Sequence, residues 1–151
     1  MTIAVEVETA IARSPDDVFA ELIAIERFPD WLVASGIVGV ERLDDGPAAV
    51  GSRVRISQRV AGRSTVLEGS ITELEAGRSL GLRGRDPDGV TIEIDAAISP
   101  DSPGTRLRWS LRIDLPLRFR MFESMVAPQV RRAVTLDLEA FRRRMESTTG
   151  R

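Results

Sequence analysis

The sequence predicts an α+β fold in which a curved antiparallel sheet of about seven strands wraps around one long C-terminal helix. Three observations carry this reading. Residues 2–12, TIAVEVETAIA, alternate strictly between apolar and polar, the period of a half-buried strand. From about Gly36 onward, six further segments keep the two-residue period and are joined by short turns, the pattern of an antiparallel meander. Between Arg118 and Glu146 the apolar residues return every three or four positions, the period of one helix face. A single sheet with one apolar face must cover that face, and only the C-terminal helix is long enough to do so.

The elements follow in order. Strand one places Ile3, Val5, Val7, Thr9 and Ile11 on one face. Ser14 reads as a helix N-cap, with Pro15 at the first helical position and Asp16 and Asp17 in the first turn, all favourable at the positive end of a helix. Val18, Phe19, Leu22 and Ile23 form its apolar stripe. Pro29 is expected to end this helix, since the residue before a proline avoids helical angles and proline donates no hydrogen bond. A second short helix then turns across the open end of the sheet, with Trp31 at the rim.

IVGVERL, SRVRISQRV, STVLEGSITELE, SLGLRG, VTIEIDAAI and TRLRWSLRIDL read as strands. The turns between them are Asp45-Gly46-Pro47, Ala61-Gly62, Ala76-Gly77, Asp86-Pro87-Asp88-Gly89 and Pro100 to Gly104. The last helix carries Phe122, Val126, Val130, Val134, Leu138, Phe141 and Met145 on one stripe, with Arg142, Arg143 and Arg144 at its negative end. Pro128 predicts a kink or a late start near Met125 to Ala127. The order is β-α-α-β6-α, in a single domain over residues 1–147 with a frayed tail at 148–151.

Composition narrows the function. A chain of 151 residues suits one domain with a sizeable core. With 42% hydrophobic and 29% charged residues it reads as a soluble globular protein. The net charge of −2 argues against a nucleic-acid partner. No apolar run approaches the roughly 20 residues of a membrane span. The N-terminus shows neither a signal nor a transit peptide, so the cytoplasm is the expected location. There is no His, Cys or Tyr, which removes the usual zinc site, a thiol nucleophile, a His-based triad and a tyrosine acid. No metal or cofactor is predicted, and the question of enzymatic activity leans towards no. Asp86-Pro87-Asp88-Gly89 resembles an oxygen-ligand loop but reads as a turn, for want of further carboxylates at the right spacing.

Four stretches taken together, SPDDVFAELIAIERFPDWL, VGSRVRI, GSITELEAGRSL and TRLRWSL, resemble the START-like helix-grip superfamily (SRPBCC), in its bacterial polyketide cyclase/dehydrase-like branch. The similarity spans nearly the whole chain in the same element order. It implies a helix-grip fold with a hydrophobic cavity between the long helix and the sheet. Members bind lipids, sterols, quinones or aromatic polyketides, and only some catalyse a reaction. The His and Tyr that catalytic members often place in the cavity have no counterpart in this chain.

Alternation nominates the wall of such a cavity. Val54, Ile56 and Gln58 face inward on the third strand, with Arg53, Arg55, Ser57 and Arg59 outside. Leu67 and Ile71 follow on strand four, which alternates poorly, then Leu80 and Leu82 on strand five. Val90, Ile92, Ile94 and Ala96 point inward next, then Leu107, Trp109, Leu111 and Ile113. Phe122, Met125, Val126 and Val130, with Met121 and Met145, come from the helix, and Trp31 from the bend. Each tryptophan either fills core or stacks on a planar ligand. Gln58 is a polar group on an apolar face, satisfied by protein, ligand or water. Outside, Arg106, Arg108 and Arg112 face Glu93 and Asp95 as a solvated charge ladder, in preference to an anion-binding patch.

The preferred reading is a non-catalytic binder of a small hydrophobic molecule, lipid-like or aromatic. One alternative is an enzyme of the polyketide cyclase/dehydratase type, which needs an acid or base in the pocket; Arg83 is the residue to inspect. The other is a protein interaction module, and a homodimer through an exposed edge strand is possible.

Overall fold

The structure is a computed structural model, and it describes residues 2–60 and 62–147. Ala61 of the expected Ala61-Gly62 turn, and the tail expected to fray at 148–151, lie outside these residues. The alternating N-terminus forms β1 (Thr2–Ile11). Then come helix α1 (Pro15–Ile23), a 3-10 turn over Ile25–Asp30, and six strands. These are β2 (Ile37–Arg42), β3 (Arg53–Val60), β4 (Arg63–Glu75), β5 (Ser79–Arg85), β6 (Thr91–Asp101) and β7 (Gly104–Asp114). A second 3-10 turn, Leu117–Phe122, leads into helix α2 (Glu123–Ser147).

The seven strands form one antiparallel sheet in the order β1-β7-β6-β5-β4-β3-β2. Strands β2 to β7 are a meander of neighbours, and β1 closes on the far edge through pairs such as Val7 with Trp109. The period-two faces fall as the alternation requires. Val54, Leu82, Ala96 and Leu107 are buried on the inner face, while Arg53, Arg83, Asp95 and Arg106 are exposed. Helix α2 covers the inner face with Val134, Leu138, Phe141 and Met145.

Helix α1 starts as its sequence dictates: the Ser14 hydroxyl accepts from the Asp17 N–H at 3.2 Å. Its end differs from the expectation. The helix stops at Ala24 (φ −77°, ψ 65°), and Pro29 lies inside the following 3-10 turn. The reason lies in the spacing of Ile25, Phe28 and Trp31, all of which are buried. A 3-10 helix has three residues per turn, so residues at i, i+3 and i+6 share one face. Tightening the coil after Ala24 turns all three into the core. There Phe28, Trp31, Trp109 and Phe141 pack edge-on or tilted, with centroids 4.6–6.1 Å apart.

The poor alternation of β4 has a local cause. Its pairing with β5 shifts register between Ile71 and Glu73, so Thr72 is an extra residue and the inward sequence becomes Leu67 and Ile71, both buried, then Leu74, half-buried. Two residues before the bulge stretch, Gly69 faces Gly84. A Cβ added at Gly69 would lie 1.7 Å from the Arg83 carbonyl oxygen, so the strands approach here more closely than any side chain permits. A bulge and a glycine pair are the means by which a sheet bends, and this sheet bends around α2.

The outer face carries a charge ladder, but its partners differ from the expected ones: Arg106 pairs with Asp101 at 3.1 Å and Arg112 with Asp114 at 4.0 Å. Glu93 lies opposite Arg112 in the β6–β7 register, yet its ion pair is with Arg83 of β5 at 3.5 Å. Arg55 sits between Glu41 and Glu68 at 3.2 and 3.3 Å. Among the described residues, no helix is long and apolar enough to cross a membrane.

Candidate ligand-binding site

A cavity of about 250 Å³ lies between the first half of α2 and one end of the sheet. Side-chain size explains its place. Where α2 presents Leu138, Phe141 and Met145, the space against the sheet is filled. Where it presents Val126, Val130 and Ala133, the shorter side chains leave a gap. Ile92 and Ile94 of β6 and Trp109, Leu111 and Ile113 of β7 form the floor. Gln58 and Val60 at the end of β3 form one side, and the loop residues Leu32, Ala34 and Ser35, with Ile37 at the start of β2, close another. None of the lining side chains is ionisable.

The loop is held by a group that does not itself line the cavity. Asp137 of α2 is only 2% exposed, and its two carboxylate oxygens accept from the N–H groups of Ala34 (2.8 Å) and Ser35 (2.9 Å). Burial pushes its pKa above the ordinary aspartate value, while the hydrogen bonds from Ser35 and Ala34 pull it back. Gly36 completes the loop at φ +78°, with its carbonyl accepting from the Arg59 N–H at 2.8 Å. An added Cβ would fall 2.4 Å from the Arg59 oxygen, so only glycine fits. The Gln58 side-chain N–H in turn donates to the Ser35 carbonyl at 3.0 Å.

Eight residues nominated from the sequence line this cavity: Gln58, Ile92, Ile94, Trp109, Leu111, Ile113, Val126 and Val130. Val54, Ile56, Leu67, Ile71 and Leu82 face inward and are buried, but they pack as core away from it. Trp31 is not at a rim. It is 1% exposed in the aromatic cluster, with its indole N–H unpartnered. Phe122 and Met125 are exposed, at 46% and 62%, and so is Met121. They sit where the 3-10 turn passes into α2, and the changed pitch takes them off the buried stripe that starts further along. Arg83 points outward, 59% exposed, to its partner Glu93.

The sequence reading passed over the loop and Asp137. The loop has no period to read. Asp137 did leave a signal: it lies three residues after Val134 and four before Phe141, on their face of the helix, so a carboxylate there had to be buried with partners. Asp86, by contrast, is a turn residue whose carboxylate accepts from the Val90 N–H at 2.9 Å. Among the described residues, no cluster of three or more acidic side chains could hold a metal ion.

Residues 2–146 match the family described as polyketide cyclase/dehydrase and lipid transport. Solved structures with the same fold include TTHA0849 from Thermus thermophilus, 17% identical with a TM-score of 0.77, covering 97% of this chain and 99% of that one. A START superfamily protein from Mycobacterium smegmatis is 19% identical with a TM-score of 0.77, covering 97% of this chain and 99% of that one. The Zhui aromatase/cyclase from Streptomyces sp. R1128 is 19% identical with a TM-score of 0.77, covering 97% of this chain and 94% of that one. At these identities the likeness is one of fold. No curated protein sequence matches the chain.

Proposed function

The chain belongs to the polyketide cyclase/dehydrase and lipid transport family, and we propose that it binds a small hydrophobic molecule in the cavity between α2 and the sheet. The observation that carries this reading is the lining: aliphatic side chains, one indole, two amides and one serine, with no ionisable group. Such a wall favours transfer of apolar surface out of water, at about 25 cal/mol per Å². The volume of about 250 Å³ lies just under the ~300–1,000 Å³ of drug-sized sites, which suits a compact ligand.

A cyclase or dehydratase reaction would need an acid or base within reach of the reacting atoms. The lining supplies none, and the buried carboxylate behind it, Asp137, has its oxygens engaged by loop N–H groups. The geometry therefore supports holding a molecule more than transforming it. Titration with the neutral fluorescent probe N-phenyl-1-naphthylamine tests the reading. Saturable binding is expected for the native chain and should be lost in Ala133→Trp, which fills the cavity. Equal binding by both proteins, or by neither, would sink the proposal. Native mass spectrometry of freshly purified protein would reveal any co-purified ligand.

A further inference from the structure

We infer that the cavity selects compact, uncharged molecules bearing a hydroxyl group, and that the side-chain oxygen of Gln58 accepts the hydroxyl proton. The inference rests on the cavity being a ligand site, and adds the chemical class of the ligand.

Gln58 lies on the inner face of β3 and its side chain lines the cavity. Its orientation is fixed by chemistry. The neighbour at 3.0 Å is the Ser35 carbonyl oxygen, which can only accept, so the amide must turn its NH₂ towards it. The opposite end, Oε1, accepts no hydrogen bond from the described residues. An amide oxygen has two lone pairs and calls for a donor. The anchor is also rigidly based. Ser35, to which it is tied, is held through its N–H by Asp137, and Arg59, next to Gln58, binds the Gly36 carbonyl.

The other polar groups of the lining do not compete. Gln129 is exposed on α2, so its amide keeps contact with solvent. Ser35 directs its hydrogen bonds at Asp137. A carboxylate ligand would bring an ion among aliphatic walls with no cation to meet it, facing the lone pairs of Oε1 and, behind the loop, the Asp137 carboxylate. An ammonium would surrender its hydration for a single neutral acceptor. A bare hydrocarbon would fill the space but strip water from Oε1 and leave it unpaired, which sites built around a hydrogen bond discriminate against. A hydroxyl on an apolar frame satisfies both demands, and Trp109 adds an aromatic side chain to the wall that such a frame meets.

The test uses one ring system in four forms at neutral pH: naphthalene, 2-methoxynaphthalene, 2-naphthol and 2-naphthoate, each displacing N-phenyl-1-naphthylamine from the whole chain. The native protein is expected to bind 2-naphthol about tenfold more tightly than naphthalene, the size of effect one buried hydrogen bond gives. The methyl ether should behave like naphthalene and the naphthoate should be weakest. In Gln58→Leu the naphthol-to-naphthalene ratio should fall to about one. Equal binding of naphthol and naphthalene, or tightest binding of the naphthoate, overturns the hydroxyl assignment while leaving a ligand site in place. An ether that binds as tightly as the naphthol overturns Oε1 as the anchoring atom. A preference that persists in Gln58→Leu overturns Gln58. If none of the four displaces the probe, the inference fails, and if the probe itself does not bind, the ligand-site reading fails with it. The native series decides selectivity even if the variant is unstable.

Discussion

Asp137 shows how a single buried charge can hold a loop in place. Replacing it with alanine leaves two backbone N–H groups unpaired near the core, each worth about 1–3 kcal/mol. Asp137→Ala is therefore expected to lose about 2–4 kcal/mol in urea unfolding, and Asp137→Asn, which keeps one acceptor, about half as much. Its pH dependence has a definite sign. Burial raises the folded pKa above the ordinary 3.8, so the folded chain keeps this proton to a higher pH than the unfolded chain does. The stability contributed by this group is complete below pH 3.8 and declines as pH rises through the raised folded value. The stability difference between the native chain and Asp137→Asn should shift in that direction across the interval, and a difference that moves the opposite way would contradict the burial argument. Trp31 poses a different case, since its indole N–H is buried without a partner. Trp31→Ala should cost about 3–5 kcal/mol. Trp31→Phe should cost clearly less, because it keeps a ring among Phe28, Trp109 and Phe141 while removing the unpaired donor. Equal losses in the two variants would show that the indole N–H has a use the structure does not explain. Sequence alone placed both tryptophans inward, but it could not assign them to separate tasks. Trp109 meets the cavity and Trp31 fills core because of where α2 crosses the sheet, a relation no period encodes.

At the scale of elements, what the sequence made legible and what it hid have the same origin. A two-residue period survives wherever a strand is regular, so β1, β3, β6 and β7 could be read with their faces. It failed in β4, where the extra residue at Thr72 breaks the count between Ile71 and Leu74. It misjudged the end of α1, where the three-residue spacing of Ile25, Phe28 and Trp31 outweighed the proline signal. The glycine pair of β4 and β5 makes a sharp test of the bend. Gly69→Ala would set a methyl group inside the Arg83 backbone. It is expected to cost at least about 3 kcal/mol, at the severe end of single substitutions. Gly84→Ala, whose nearest neighbour is the Leu67 side chain at 3.2 Å, should be milder. Thermal unfolding of the two variants checks the order, and comparable melting temperatures would mean the strands can part at little cost.

For the whole molecule, the α+β plan was readable because sheet and helix each need a partner surface, and only one arrangement of these elements supplies it. Which part of the interior is left open was not readable. Ile71 and Ile94 follow the same alternation, yet one is core and the other is wall. The gap depends on three short side chains, Val126, Val130 and Ala133, meeting the β6–β7 end of the sheet. Those three lie close to Pro128, which has no N–H to offer the Ser124 carbonyl one turn earlier. The helical wall of the cavity is thus the most lightly secured stretch of α2, while the stretch from Val134 to Met145 is anchored in the core. Amide hydrogen exchange should be faster over 123–130 than over 134–145, and an occupant should slow the first stretch selectively. Part of every ligand's binding energy would then go into organising the surface that receives it. Pro128→Ala, by restoring the missing backbone bond, should tighten binding a few-fold through preorganisation alone, without altering any atom that touches the ligand.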